Sequence, residues 1–544
     1  MRLRWAQVAL CATAVYTLPG CGPKATQTDD PAVIEVSPQR IRREIFTVAG
    51  APADAMLPAA IGSQVVRYRL DSSPPKPVRA VLLFLPGFLE GAGAADAFAR
   101  AVVRRSTADA ALEVWALDRR SNLVEDHSGL DTAIAQGNAN LATGYYFENA
   151  AIEGKRFDGF LTAPQAAAMA EWGLPTMVAD VRAVVERFPA EARRARVFLA
   201  GHSLGGQFAV EYAAWDSGGK ALGEELAGLL MLDAVTGGEG QADAVTQQQY
   251  EVDGVPDPDL GTQPGLKDIH DGTPFITLPL LETRLYPVGA IAALRARLNP
   301  DGFDPDAQRS QALQLLFSTD KLPRITNEAA LGLAFDDQSC PLTDARVSLG
   351  QATGGPLEEV ASPLGGTVRR PSDPSATYRW LRFDQVTPEE HTAMADFTIA
   401  WTRPTVDFGE WYFPTRLGLD GVAAASLILD PSSWQTTRYG LRASHGRELE
   451  LPILVEATSL SGGTAAGYDH LKALAAPLGA GRPFAGKTRA EAEAFRAIAH
   501  PELTHLDPLN GADVPGTVTG TWYDAVASFL LDHSPTGSVG IAVQ

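Results

Sequence analysis

"VFLAGHSLGG", Val197 to Gly206, sets four apolar residues against Gly-His-Ser-Leu-Gly and one further glycine. The apolar run reads as a strand buried on both faces, and "LGGQFAVEYAAW" after Ser203 has the spacing of a helix. Ser203 therefore falls on a sharp turn from strand to helix. The glycines at 201 and 205 remove Cβ atoms where the two backbones crowd, so the serine can stand open at the carboxyl end of a sheet. A serine hydroxyl is a poor nucleophile at neutral pH and needs a base within reach as well as an open position. The turn supplies the position. Without a base, the same residues would be no more than a glycine-rich loop.

Working outward, "IRREIFTVAG" (Ile41–Gly50) and "SQVVRYRLD" (Ser63–Asp71) read as strands, and "SSPPKP" breaks the second. Val78–Phe88 is a buried strand followed by a glycine-rich turn and an alanine-rich helix. Glu113–Asp118, Arg196–Ala200 and Leu226–Val235 are further strands, and "TMVADVRAVVERF" is a helix between them. Strands alternating with helices predict an α/β domain whose mostly parallel sheet is covered on both faces. The alternation stops from Thr236 to Glu450, returns at Leu451–Thr458, and closes with the helix "TWYDAVASFLLDH". The expected division is 41–235 and 451–544 for the sheet domain, with 236–450 inserted as a cap or lid.

The chain has 544 residues, 45% of them apolar and 20% charged, which suits a folded globular protein. A net charge of -20 speaks against nucleic acid as partner, since phosphate binding needs clustered Lys and Arg. At the amino terminus, Arg2 and Arg4 precede a short apolar run, Trp5–Thr17, and then "LPGC" ending at Cys21. This leader resembles a bacterial lipoprotein signal, in which 1–20 would be removed, Cys21 lipidated and 21–40 left as a polar tether. The resemblance implies an extracytoplasmic protein anchored to a bacterial membrane. Only three cysteines occur, two of them in the leader, so Cys340 remains as a buried structural thiol without a disulfide partner.

The elbow and its flanks resemble the α/β-hydrolase family, and "GHSLGG" is close to the lipase and esterase form of that family's motif. The resemblance covers Ile41–Val235 and Leu451–His533, and it places the cap between the sixth and seventh strands. It implies Ser203 as nucleophile and an oxyanion hole made of two amides. One is Leu204 N–H, at a helix amino terminus where the dipole favours negative charge. The other comes from "LPGF" (Leu85–Phe88), which resembles the family's His-Gly-x loop with proline replacing histidine; Phe88 is the candidate and Leu89 the fallback.

The family order of nucleophile, acid, histidine points to a late histidine. Of His470, His500, His505 and His533, His505 in "THLDPL" best resembles the family's loop before the final helix. The acid departs from the pattern, because Ser461 falls where the carboxylate after the seventh strand belongs. A minority of the family carries it at the end of the sixth strand, where Asp233 lies. Glu456 is the rival and Asp469 a third candidate.

The resemblance implies hydrolysis of a small carboxylic ester through an acyl-enzyme, without metal or organic cofactor. An amidase or peptidase using the same triad, or a surface binding protein that has lost catalysis on this scaffold, stays open. A serine at the elbow argues against epoxide hydrolysis and dehalogenation, which use aspartate there. Asp253, Asp257 and Asp259, and Asp301, Asp304 and Asp306, form Asp-rich turns that offer oxygen ligands for calcium or are simply solvated. "FGEWYFP" (Phe408–Pro414) and "TGYYF" (Thr143–Phe147) line an acyl pocket or build core, and "DRR" (Asp118–Arg120) reads as structural.

Overall fold

The computed structural model describes residues 33–36, 40–107, 109–237, 245–257, 261–276, 283–303, 323–362, 366–386, 388–447, 449, 451–473 and 495–536. The strands of the main sheet, numbered along the chain, are β1 (Val33–Val36), β2 (Ile41–Ala49), β3 (Gly62–Leu70), β4 (Val78–Leu85), β5 (Ala111–Asp118), β6 (Val197–His202), β7 (Gly228–Leu232), β8 (Ile453–Ala457) and β9 (Phe495–Ala499). Their spatial order is β1-β2-β3-β5-β4-β6-β7-β8-β9. The β1 to β3 edge is antiparallel, and everything from β5 to β9 runs parallel. This order, with β5 and β4 exchanged and an elbow after β6, is that of the α/β-hydrolase fold.

The continuous apolar runs of β4 and β5 follow from cover on both faces. Leu82 and Phe84 join one core cluster while Val81, Leu83 and Leu85 join the other, as the two-residue period of a strand requires. On the first face pack the helices Asp96–Arg104 and Val518–Asp532 through Phe98, Val102, Trp522 and Val526. On the second pack Leu174–Val185 and Leu204–Ala213 through Val178, Val181, Phe208 and Val210.

Two sheet elements depart from the sequence reading. Val33–Val36, expected within the tether, pairs with β2 along the edge. Phe495–Ala499 adds a ninth strand beside β8; only short, half-buried alternation marks it, which periodicity alone reads poorly. The expected leader, including Cys21, lies outside the described residues.

Between β7 and β8, the described residues contribute helices, among them Leu285–Leu298, Asn327–Phe335, Met394–Trp401 and Thr415–Ala424, and small sheets of their own, but no strand of the main sheet. This segment is not sealed off as a separate body. Its Leu294 and Trp401 belong to one core cluster and its Tyr250, Phe413 and Leu417 to the other. The two aromatic stretches meet within that packing: Trp411 lies 5.8 Å from Tyr146 and 5.7 Å from Phe160 between ring centres. All their aromatic residues but the exposed Phe147 are core, with Phe413 reaching Phe88 at 4.9 Å.

Cys340 is buried, donates to the Leu342 carbonyl, and has its thiol pushed up to about 12 by burial. Of the Asp-rich turns, Asp301 pairs with Arg379 at 3.0 Å and Asp253 accepts from Gln248 at 3.3 Å. Asp257 ends the strand Val255–Asp257; Asp259, Asp304 and Asp306 lie outside the described residues. Among the described residues no helix is long and apolar enough to cross a membrane.

Candidate active site

Ser203 sits between β6 and the helix Leu204–Ala213 with φ 52° and ψ -127°, a conformation that costs a non-glycine residue energy and that surrounding structure must hold. Its N–H donates to Leu232 O at 3.1 Å, and its carbonyl accepts from Gly206 and Val235, each at 3.0 Å. The glycines are needed for close approach: a Cβ on Gly201 would lie 2.1 Å from Gly205 O, and one on Gly205 2.3 Å from Leu85 O. Ser203 and Leu204 are partly exposed. Leu204 opens its helix, so its N–H has no acceptor within the helix and points outward at the positive end of the dipole.

Asp233 follows β7 directly and also takes a positive φ, 36°. Its N–H donates to Glu456 O at 2.8 Å, which ties it to the end of β8. Its carboxylate accepts from His505 Nδ1 at 2.8 Å, Thr458 N at 2.8 Å, Leu460 N at 2.9 Å, Ser461 N at 3.3 Å and Ser461 Oγ at 3.2 Å. Burial alone would raise this carboxyl, but the hydrogen bond and charge of His505, with Thr458, hold it well below the usual carboxylate range. Ser461 thus donates to Asp233 through both its N–H and its hydroxyl.

Glu456 is equally buried, but neither of its carboxylate oxygens has a hydrogen-bond partner among the described residues. His500 Nε2 stands 3.8 Å away, and burial together with the negative charge of Asp233 pushes Glu456 well above its ordinary range. Burial without a donor thus favours its protonated form. Asp469 is exposed and pairs with Lys472 at 2.6 Å.

Of the four histidines, His505 alone bonds Asp233, and it does so through Nδ1, which leaves Nε2 outside that bond. His470 contacts Thr236 at 3.0 Å, His500 lies beside Glu456, and His533 packs on Phe529 with ring centres 4.7 Å apart.

The loop after β4 lies against the elbow, since a Cβ on Gly87 would come 2.9 Å from Ser203 Cβ. Phe88 and Leu89 are partly exposed, and Leu89 has φ 59°. Arg119 holds this loop by donating to Pro86 O at 2.8 Å, to Gly87 O and to Glu90 O at 3.3 Å, while pairing with Glu410 at 2.8 Å. Glu410 N in turn donates to Leu89 O at 2.9 Å. The residue read as part of a structural "DRR" thus braces the candidate oxyanion loop.

Glu90 and His202 are two further site residues that motif reasoning passed over. Glu90 accepts from Gly87 N at 2.6 Å and pairs with His202 Nδ1 at 2.8 Å; His202 Nε2 meets His505 O at 2.8 Å. The only signal in the sequence is a histidine beside the elbow serine and an acid in "GFLEG".

Asp336, Asp337 and Glu390, in the inserted segment, are the one group of three among the described residues spaced to hold a metal ion. Burial, with the negative charge of Asp507, pushes Asp337 up to about 6, and burial, with the charges of Asp336, Asp337 and Asp507, pushes Glu390 up to about 9.

Neither a family model nor a curated protein matches the chain. Among solved structures it is similar to the peroxisomal α/β-hydrolase Lpx1 from Saccharomyces cerevisiae, at 12% identity and TM-score 0.36 over 90% of this chain and 89% of that one. It is similar to the epoxide hydrolase VrEH1 from Vigna radiata at 14% identity and TM-score 0.33, over 91% and 99%. The haloalkane dehalogenase DbeA from Bradyrhizobium elkani gives 10% identity and TM-score 0.32, over 90% and 98%. The fold assignment rests on the strand order, with Ser203, Asp233 and the loop at Gly87 gathered at the carboxyl ends of β6, β7 and β4.

Proposed function

We propose that the protein is a serine hydrolase that cleaves carboxylic esters through an acyl-enzyme. The observation that carries this reading is the 2.8 Å bond from His505 Nδ1 to Asp233, on a histidine whose ring lies 4.4 Å from that of His202, the neighbour of Ser203. Ser203 Oγ attacks the acyl carbonyl while His505 Nε2 takes its proton; Asp233 holds the ring in the tautomer that leaves Nε2 free and stabilises the imidazolium. The oxyanion is met by Leu204 N–H and Phe88 N–H. His505 then protonates the leaving alcohol, and water repeats the sequence on the acyl-enzyme. The segment 236–450 acts as the lid over this site.

The leader supports a second part of the proposal, that Cys21 is lipidated and the enzyme is anchored outside the cytoplasm of a bacterium. Loss of a lipid-sized mass from the mature chain in Cys21→Ala is the expected result; an unlipidated wild type contradicts it.

The functional test is turnover of a p-nitrophenyl ester series by the chain starting after Cys21, compared with Ser203→Ala. Wild-type turnover that Ser203→Ala abolishes is expected. Equal rates for the two, or hydrolysis of amides but no ester, overturns the ester assignment.

A further inference from the structure

Glu90 and His202 lie 112 residues apart in sequence and meet in full burial, His202 at 0% and Glu90 at 6% exposure. His202 Nε2 is 2.8 Å from a carbonyl oxygen, His505 O. A carbonyl can only accept, so Nε2 carries a hydrogen. His202 Nδ1 is 2.8 Å from Glu90 Oε1, and a hydrogen bond there needs a second proton shared between ring and carboxyl. With that proton on the ring, the pair is an imidazolium facing a carboxylate, and the other carboxylate oxygen accepts Gly87 N–H at 2.6 Å.

These contacts join three segments that the hydrolase reading needs in register: the loop Pro86–Glu90, the elbow, and the loop carrying His505. From the remaining elements, the charged groups facing the pair are His505 itself, Asp233 and the Arg119–Glu410 pair that grips the loop backbone. The His202 and His505 rings lie 4.4 Å apart at 32°, nearly face to face.

We propose that Glu90 and His202 form a buried ion pair that positions the base His505 and the candidate oxyanion loop as one unit. The pair touches neither substrate nor reacting atoms; it acts through His505 and Gly87. The proposal rests on the serine-hydrolase reading for its catalytic consequence, but the ion pair itself is independent of it.

Removing Glu90's charge leaves His202 without its counter-ion, and removing His202 leaves a buried Glu90 that protonates. Either change breaks the link between the Gly87 loop and the backbone of His505.

The test uses the chain starting after Cys21 in two experiments. Nitrogen-15 NMR of histidine-labelled wild type, with signals assigned through His202→Gln and His505→Gln, reads protonation without any substrate. A doubly protonated His202 at pH 7 that turns neutral in Glu90→Gln is expected; a neutral His202 in wild type at pH 7 overturns the ion pair. The wild-type titration carries this arm on its own if Glu90→Gln does not fold.

The second experiment follows kcat and KM for an ester across pH in Glu90→Gln, His202→Gln and the double variant. Expected is a fall of about 10- to 100-fold in kcat at little change in KM. The double variant should lose no more than the worse single one. Folded single variants with wild-type kcat overturn the positioning role. Wild type inert toward esters but showing the expected NMR signals instead rejects the hydrolase reading and leaves the ion pair standing.

Discussion

The ends of β7 and β8 offer a controlled comparison, for each carries a fully buried carboxyl group and the two are joined by a backbone hydrogen bond from Asp233 to Glu456. Around Asp233 the chain arranges three amides, a serine hydroxyl and an imidazole. Among the described residues, none donates a hydrogen bond to the Glu456 carboxyl. Burial acts on both in the same direction; the donors decide that one is an anion and the other an acid. The positive φ of Asp233 is the geometric side of the same difference, since it turns the carboxylate off the strand and into the amides of Thr458–Ser461. Glu456 stays on regular strand geometry beneath the sheet's cover.

The largest effect expected from breaking this asymmetry is at Asp233. Asp233→Asn should reduce kcat/KM for an ester by at least about 10³-fold, because an amide presents the wrong partner to His505 Nδ1–H; less than a tenfold loss would argue against it as the acid. Next is the loop that meets the elbow: Gly87→Ala forces a Cβ to within 2.9 Å of Ser203 Cβ, and a shift of loop or serine should reduce kcat by about 10²-fold. Steady-state kinetics with circular dichroism to verify folding checks both.

Ser461→Ala removes one of several donors to Asp233, so a loss of about two- to tenfold in kcat/KM is expected. Glu456→Gln should leave turnover within about threefold, since an acid that already carries its proton does not serve as the anionic partner of a triad.

The same variant sharpens the comparison through stability. Because Glu456 is raised in the folded protein, the native state holds a proton that the unfolded chain releases above the ordinary Glu range, and wild-type stability falls as pH rises from about 4.5. Asp233 behaves oppositely: its depressed pKa adds stability above the ordinary Asp range that is lost on acidification. Urea denaturation should show Glu456→Gln gaining on wild type as pH rises from 4.5, by up to roughly 1 kcal/mol per pH unit. A gap independent of pH would mean that Glu456 is ionised in the fold.

The sequence resolved the parts of this molecule that are local. A strand, a glycine-flanked serine and a helix follow one another without interruption from Val197 to Ala213, so the elbow could be read from neighbours alone. The candidate His505 needed only the order of segments. The acid was left between Asp233 and Glu456 because what distinguishes them is a set of backbone amides at Thr458–Ser461, brought to Asp233 across more than 220 residues of chain. Backbone donors leave no mark in residue identity. Arg119 was read as structural, and Glu90 and His202 were passed over, for a related reason, since each acts on loop backbone or on a partner distant in sequence. The segment 236–450 showed no repeating pattern in sequence, and the apolar residues of its described part pack into both faces of the core that the main sheet builds.

The most direct measurement is the rate at which a fluorophosphonate modifies the folded chain, with the modified residue located by peptide mass spectrometry, in wild type, Ser203→Ala, His505→Ala, Asp233→Asn and Glu456→Gln. The account predicts one adduct, on Ser203, absent from Ser203→Ala, slowed by orders of magnitude in His505→Ala and Asp233→Asn, and formed at close to the wild-type rate in Glu456→Gln. No adduct on folded wild type, or an adduct slowed by Glu456→Gln and not by Asp233→Asn, would contradict it.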